Sequence, residues 1–208
     1  MRIYLKPIIH VAALLFLGLF ASRQLVLAQE VDGYVGLGTA RAGSNGQQIN
    51  TFGDGNLYAT GSLGGTFTDW GFNVFFGKQV GVGWTGSWKW SSGDYAGLGY
   101  HANFQVFDGI YQPAPIRTKR FAPELRAGIG LTSVHFDYND PVSCAQVPGC
   151  PDARFFLAHL AVAARFYVTD HVFLRPAVDV HYVHDFYPFG SNWVPRYSMS
   201  VGYSFGRE

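Results

Sequence analysis

The sequence predicts an all-β protein, an up-and-down antiparallel β-barrel of about eight strands that crosses a membrane. Three observations predict this fold class. Charged residues make up only 14% of the 208-residue chain, against roughly 25% in soluble proteins. Aromatic residues make up 17% of the chain, and 26 residues are glycine. So high a glycine content is unfavourable for a helical protein, because glycine weakens helices. Apolar residues alternate with small or polar ones at a period of two, the signature of strands.

The pattern of charge and hydrophobicity in residues 1–28 predicts a secretory signal peptide. A basic start is followed by an apolar run, and small or apolar residues precede the expected cleavage site after Ala28. The run is shorter than the ~18 apolar residues that a membrane-spanning helix needs. Cleavage after Ala28 leaves residues 29–208 as the barrel domain, and cleavage after Ala21 is the alternative.

The alternation is clearest in the last strand, where five large apolar residues share one face and serine or glycine occupies the other. Eight segments show this pattern: 31–40, 70–76, 80–90, 98–106, 121–131, 156–166, 172–182 and 197–205. About ten residues is the length that a tilted strand needs to cross a bilayer. The connections alternate between short turns, at 77–79, 112–119 and 169–171, and longer loops, at 41–66, 137–154 and 185–196. This alternation is typical of outer-membrane barrels.

We expect the bulky apolar face of every strand to point outward to lipid. The interior of an eight-stranded barrel is only just wide enough for side chains, so the small residues are predicted to line it. In the segment 98–106 this places Tyr100 and Phe104 in lipid and His101 in the lumen. Aromatic girdles are predicted at the outer rim, with Trp88, Trp90 and Tyr197, and at the inner rim, with Phe76, Tyr203 and Phe205.

The inward face carries scattered charges that predict a network. Its members are Asp32, Lys89, Glu124, Arg126, Arg165, Arg175 and Asp179, joined by His101, His159 and His181. An unpaired charge in a narrow interior carries a large free-energy penalty. We therefore expect these groups to pair across the lumen and to plug it. The network is either structural packing or a gate whose partners exchange to open a narrow path.

Asp179, His181 and Ser200 combine the acid, imidazole and hydroxyl of a nucleophilic triad. Symmetric pairing of the last hairpin would place His181 opposite Ser200. A filled barrel gives a substrate no access to such a site, so we expect a hydrogen-bond network and no enzymatic activity. No Cys or His spacing indicates zinc, and we expect neither a metal nor a cofactor.

The only two cysteines, Cys144 and Cys150, lie in one long loop. Because the secretory route is oxidising, a disulfide between them is predicted. Closing this small loop contributes roughly 2 kcal/mol. The loop is either a rigid knob for adhesion or recognition, or a segment protected from proteases.

Four segments carry a resemblance to a known family: 81–88 (GVGWTGSW), 94–113 (DYAGLGYHANFQVFDGIYQP), 123–130 (PELRAGIG) and 196–206 (RYSMSVGYSFG). They resemble the outer-membrane β-barrel family related to the small OmpA-like and OmpX-like barrels, most of whose members have no assigned function. The resemblance implies the cell outer membrane as the location, with outer-membrane lipid as a partner. The closing strand, with Tyr203 and a final Phe205, is similar to the sorting signal read by the barrel-assembly machinery.

The expected function is a structural or surface-interaction role of a monomeric outer-membrane protein with a plugged lumen. The alternative is a narrow, porin-like passive channel for small or apolar solutes. The net charge of +1 gives no reason to expect nucleic acid as a partner.

Overall fold

The computed structural model describes residues 28–52, 55–137 and 153–206. Eight long strands form a closed antiparallel barrel, in which the first strand also pairs with the last. They are β1 (Ala28–Ala40), β4 (Thr66–Phe76), β5 (Val80–Lys89), β7 (Leu98–Tyr111), β8 (Phe121–Asp137), β9 (Ala153–Tyr167), β10 (Val172–Val183) and β11 (Trp193–Phe205). The predicted up-and-down barrel of eight strands is confirmed.

In the described ranges, three short strands and two 3-10 helices lie outside the eight-stranded closure. Strands β2 (Gln48–Ile49) and β3 (Tyr58–Ala59) pair in the first long loop, and β6 (Gly93–Tyr95) pairs with the start of β7. The 3-10 helices span Ala114–Ile116 and Tyr187–Phe189. Within the described ranges, no helix has the length and apolar character to span a bilayer.

The two ends of the barrel differ in their connections. We call one the turn end, which has the short turns 77–79, 112–120 and 168–171, and the other the loop end, which has the loops 41–65 and 184–192. The predicted disulfide, Cys144 with Cys150, lies outside the described residues. So does the predicted signal peptide, except for Ala28, which begins β1.

The outer surface carries a band of large apolar side chains. Val35, Leu160 and Val201 are 58%, 64% and 48% exposed on three different strands. A water-soluble monomer rarely exposes so large an apolar surface, whereas acyl chains remove it from water. The predicted outward face is confirmed in every segment except 98–106. Of the predicted girdle residues, Trp90, Tyr197, Phe76, Tyr203 and Phe205 are exposed and Trp88 is half-buried.

The predicted facing of the segment 98–106 is wrong. Tyr100, Phe104 and Val106 are buried inside the barrel, whereas His101 and Gln105 are exposed on the outside. The predicted lumen residue His101 is therefore external, and its Nε2 lies 2.9 Å from a carboxylate oxygen of Asp137 on β8.

The cross-strand pairs of β7 and β8 give the physical reason. On the outer face, His101 lies opposite His135 and Asn103 opposite Ser133, whereas Phe107 lies opposite Ile129. The outer face is thus polar near the loop end and apolar further down. We infer that the loop-end half of this hairpin extends beyond the bilayer. There the apolar side of the alternation turns inward, as in a water-soluble barrel.

The loop end of the interior contains a cluster of buried aromatic side chains, which we call the loop-end cluster. Its aromatic members are Phe67, Tyr95, Tyr100, Phe104, Phe136, Phe155, Phe186 and Phe189. The expectation that only small residues fit inside is wrong in this half. Strands β8 and β9, of 17 and 15 residues, are much longer than the 10-residue β5. The loop-end parts of β4, β7, β8 and β9, with the short β6 and the last loop, supply the bulky side chains that pack together here.

Candidate functional site

The charged side chains of the lumen meet around Glu124 on β8. Its carboxylate accepts hydrogen bonds from Arg126 Nε at 3.2 Å, Arg175 Nε at 3.1 Å and Gln112 Nε2 at 3.2 Å. Arg165 Nε lies 2.5 Å from Oε1, the oxygen that also accepts from Gln112, whereas Arg126 and Arg175 donate to Oε2. Glu124 and Arg165 are fully buried, and Arg126 and Arg175 are nearly so. One carboxylate thus faces three guanidinium groups.

Arg165 extends this network to the first strand. Its Nη1 lies 3.0 Å from a carboxylate oxygen of Glu30 and 2.6 Å from one of Asp32. The guanidinium carbon also lies 4.7 Å from the ring centroid of Phe75 and 5.0 Å from that of Phe173. Cation–π contacts of this kind help to offset the loss of hydration. Arg165 therefore joins β9 to β1 across the interior.

Arg126 extends the network in the other direction. Its Nη1 donates to Asp108 Oδ2 at 3.3 Å and its Nη2 donates to Asn73 Oδ1 at 2.6 Å. The Asn73 amide donates in turn to Asp32 at 3.4 Å. Because the chain of contacts returns to Asp32, the network forms a closed ring across the lumen.

His159 continues the network toward the loop end. Its Nδ1 lies 2.5 Å from Asp108 Oδ1 and its Nε2 lies 3.0 Å from Asp179 Oδ1. Both ring nitrogens of His159 thus face a carboxylate, and when both carboxylates are ionised, and so only accept hydrogen bonds, both nitrogens donate. A second ion pair lies close by, with Arg196 Nη2 2.7 Å from Asp69 Oδ1.

The structure brings six of the seven residues of the sequence-based network into this one set: Asp32, Glu124, Arg126, Arg165, Arg175 and Asp179. Lys89 lies apart. It is at the loop end of β5, where its Nζ donates to the carbonyl oxygen of Ser91 at 2.7 Å and lies 5.5 Å from the ring centroid of Tyr100.

Sequence reasoning missed four charged members of the lumen. Glu30, Asp69 and Arg196 each lie one residue outside a predicted segment, and extending the alternation would have assigned them to the inner face. Asp108 could not have been assigned to the lumen by extending the alternation. The reversed facing of the segment 98–106 would have placed it in lipid.

The expected juxtaposition of His181 and Ser200 is wrong. In the register of β10 and β11, His181 lies opposite Val194 and Ser200 lies opposite Arg175. Neither ring nitrogen of His181 nor the hydroxyl oxygen of Ser200 has a hydrogen-bond partner. The hydrogen-bond network expected for these two residues is therefore not formed within the described part of the chain.

A small cavity of about 10 Å³ lies beside these two side chains, and Asp179 and His159 also line it. This space suffices for about one water molecule. The interior at this level is therefore filled by side chains.

The loop-end cluster closes the barrel above the network. Phe104 joins the two levels, with its ring centroid 5.7 Å from that of Phe67 and 5.1 Å from that of His181. Tyr95 anchors the first loop through a hydrogen bond of 2.5 Å between its hydroxyl and that of Thr51. Burial raises the pKa of Tyr95 above its ordinary value, so this phenol stays neutral.

No model of a known protein family matches the chain, and no curated protein sequence matches it. Solved structures do match. Ail, the attachment invasion locus protein of Yersinia pestis, has a TM-score of 0.53 at 10% identity, over 86% of this chain and 99% of that one. The N-terminal β-barrel domain of Pseudomonas aeruginosa OprF has a TM-score of 0.55 at 13% identity, over 86% and 98%.

Neisserial surface protein A also matches, with a TM-score of 0.53 at 14% identity, over 85% of this chain and 96% of that one. At such low identity the likeness concerns the fold. It agrees with the closed eight-stranded sheet. The fold of this chain is therefore that of the small eight-stranded β-barrels to which these outer-membrane proteins belong.

Proposed function

We propose that this protein is a closed barrel that presents its loop end at the cell surface, in a structural or surface-interaction role without catalysis. The observation that carries the proposal is a lumen filled at two levels, by the network around Glu124 and by the loop-end cluster. Short turns belong to the periplasmic side of outer-membrane barrels and long loops to the outside. The loop end is therefore the external end.

A continuous path for solutes would need both levels to open. At the lower level, Glu124 would have to leave three buried guanidinium groups, and breaking a buried ion pair costs about 3–5 kcal/mol. At the upper level, packed aromatic rings would have to separate. These contacts favour a closed barrel over the alternative, a narrow passive channel.

We expect no stepwise ionic current from the refolded protein in planar bilayers, and no swelling of liposomes in small sugars. A large-pore porin added to the same bilayer controls for a working assay. A steady current that changes when Glu124 or Arg126 is replaced by alanine would contradict the proposal and support a gated channel through the network.

The loop end also offers a surface suited to a partner. Leu57 and Tyr187 are 63% and 46% exposed there. Between the first and last loops lies a groove of about 530 Å³, lined by residues that include Asn45, Gln47 and Trp193. Aromatic and amide side chains of this kind are common in binding surfaces. The likeness to an attachment invasion locus protein supports the same role.

The surface role can be tested with paired variants of a barrel displayed on cells that otherwise lack it. We expect Leu57→Ser with Tyr187→Ser to reduce adhesion to host-cell or matrix-coated surfaces, because both side chains are exposed at the loop end. Ile116→Ser is the matched control, since Ile116 is 55% exposed at the turn end. Adhesion that is absent from the start, or equal in all variants, would leave only the structural role.

The remaining expectations belong to the same proposal. Tyr203 and Phe205 are exposed on the outer face of β11, where the barrel-assembly machinery can contact them during insertion into outer-membrane lipid. The barrel closes within one chain through β1 and β11, so a monomer completes the fold.

A further inference from the structure

Three potential metal ligands converge on the inner wall between β9 and β10. His159 and His181 lie directly opposite each other in the register of these strands. Asp179 precedes His181 by two residues, so its side chain is on the same face of β10. A ring nitrogen of each histidine and a carboxylate oxygen of Asp179 all lie within 4.8 Å of one another, and all three residues are buried.

His181 provides an independent observation. Its side chain is completely buried, yet neither ring nitrogen has a hydrogen-bond partner. Buried polar groups are nearly always paired, and an exception calls for a missing water, ion or function. Ser200 Oγ is buried and unpaired as well, and the small cavity lies between these groups. A bound species at this position would satisfy both.

His159 is already arranged as a metal-binding histidine. Its Nδ1 lies 2.5 Å from Asp108, and a carboxylate on the second ring nitrogen is the usual way to orient a histidine ligand and make it more basic. Its Nε2 faces Asp179. When a metal ion binds, the proton on Nε2 passes to solvent. The freed lone pair and an Asp179 oxygen then coordinate the ion.

The charge balance around Asp179 permits a cation. Two guanidinium groups line the same cavity as Asp179, and both have carboxylates of their own, since Arg196 pairs with Asp69 at 2.7 Å and Arg175 with Glu124 at 3.1 Å. Among the described residues, the one ion pair of Asp179 within 4.0 Å is that with His159. Asp179 is therefore available to a metal ion without breaking a pair with arginine.

We propose that the lumen binds one divalent transition-metal ion through His159, Asp179 and His181. Two imidazoles and a carboxylate suit Zn²⁺, Co²⁺ and Fe²⁺, whereas Mg²⁺ and Ca²⁺ prefer oxygen ligands alone. A fourth position points into the cavity, with Ser200 beside it. The ion cross-links β9 to β10 and fixes the wall between the charged network and the loop-end cluster.

The test uses the full barrel, refolded in detergent after removal of metal, in a His101→Gln, His135→Gln background. These two exposed histidines face each other on the outer surface and would bind metal nonspecifically. Because the folded lumen is closed at both levels, Zn²⁺ is added at graded concentrations during refolding, and the bound metal is counted by mass spectrometry after desalting. Co²⁺ is added in parallel, because its visible absorption reports the coordination geometry.

We expect one ion per chain, an imidazole-containing Co²⁺ spectrum, and a higher urea midpoint with Zn²⁺ than without. His181→Ala and Asp179→Asn should abolish the Co²⁺ spectrum. Asp108→Asn removes the carboxylate that positions His159, together with the charge of the Arg126 pair, and should weaken Zn²⁺ affinity by about 10–100-fold. Heat-dependent gel mobility confirms that each variant is folded. This test measures metal binding alone. Its result therefore does not depend on whether the barrel conducts ions or mediates adhesion.

Two results would overturn the proposal. The first is no bound metal in the parent barrel, which would mean that an ordered water occupies the cavity. The second is metal binding that is unchanged in both His181→Ala and Asp179→Asn. Should His181→Ala fail to fold, the conservative His181→Asn variant answers the same question, because the asparagine side chain is too short to replace the imidazole ligand.

Discussion

Glu124→Ala is expected to lower the free energy of unfolding by about 3–5 kcal/mol, because removing one partner of a buried ion pair leaves uncompensated charge. Here three guanidinium groups, of Arg126, Arg165 and Arg175, would lose their shared carboxylate in the middle of the barrel. The measurement is the urea midpoint of the barrel refolded in liposomes, read by heat-dependent gel mobility.

Glu124→Gln should lie between the wild type and Glu124→Ala, since the amide oxygen still accepts one hydrogen bond. Asp170→Ala is the control for loss of a carboxylate, because Asp170 is exposed in the turn 168–171 and should leave the midpoint unchanged. If Glu124→Ala unfolded at the same urea concentration as Asp170→Ala, the network would not contribute to stability and the closed lumen would need another explanation.

Val201→Arg is expected to destabilise the barrel by about 2–4 kcal/mol, the cost of an arginine on the lipid face near the bilayer midplane. Val201 is 48% exposed on the outer surface, midway between the girdle residues Tyr197 and Phe205. Its neighbours across the sheet, Val35 and Leu174, are also apolar. The arginine would therefore face an apolar side chain on each adjacent strand.

Ser200→Ala is the matched control from the adjacent position. Ser200 is 1% exposed and faces the lumen, and its hydroxyl has no partner to lose, so the urea midpoint should change little. Both variants are compared in the same liposomes. Equal effects of the two substitutions would mean that the assigned inner and outer faces of β11 are reversed.

The sequence is most informative where a strand lies wholly within the bilayer. Along β11, one face from Tyr197 to Phe205 is apolar and the other is serine or glycine, and the structure exposes the first face and buries the second. In such a strand, the outer face meets only lipid. Period-two alternation and residue size then suffice to assign the faces.

The sequence misleads where a strand leaves the bilayer. In β7, the apolar residues Tyr100 and Phe104 face inward while Phe107 and Tyr111 face outward. The apolar side of the alternation changes between Val106 and Phe107, at the level where we infer that the outer environment changes from water to lipid. One assignment of inner and outer faces for the whole strand therefore fails. It also places Asp108, a member of the lumen network, on the lipid side.

The candidate metal cluster could not be predicted from spacing along the chain. His159 and His181 are far apart in sequence and meet because β9 and β10 pair with these two residues in register. That register depends on the turn between the strands, which the alternation pattern does not specify to the residue. The same uncertainty produced the incorrect juxtaposition of His181 with Ser200.

The central claim is that the aromatic outer face of this barrel lies against acyl chains while its interior is filled. The most direct measurement uses a variant that keeps Trp84 and replaces the other four tryptophans by phenylalanine. Trp84 lies opposite Phe72 and Phe107 on the outer face of β5. We predict strong quenching of its fluorescence by lipids brominated on their acyl chains and little quenching by aqueous iodide. Quenching by iodide alone would contradict the account.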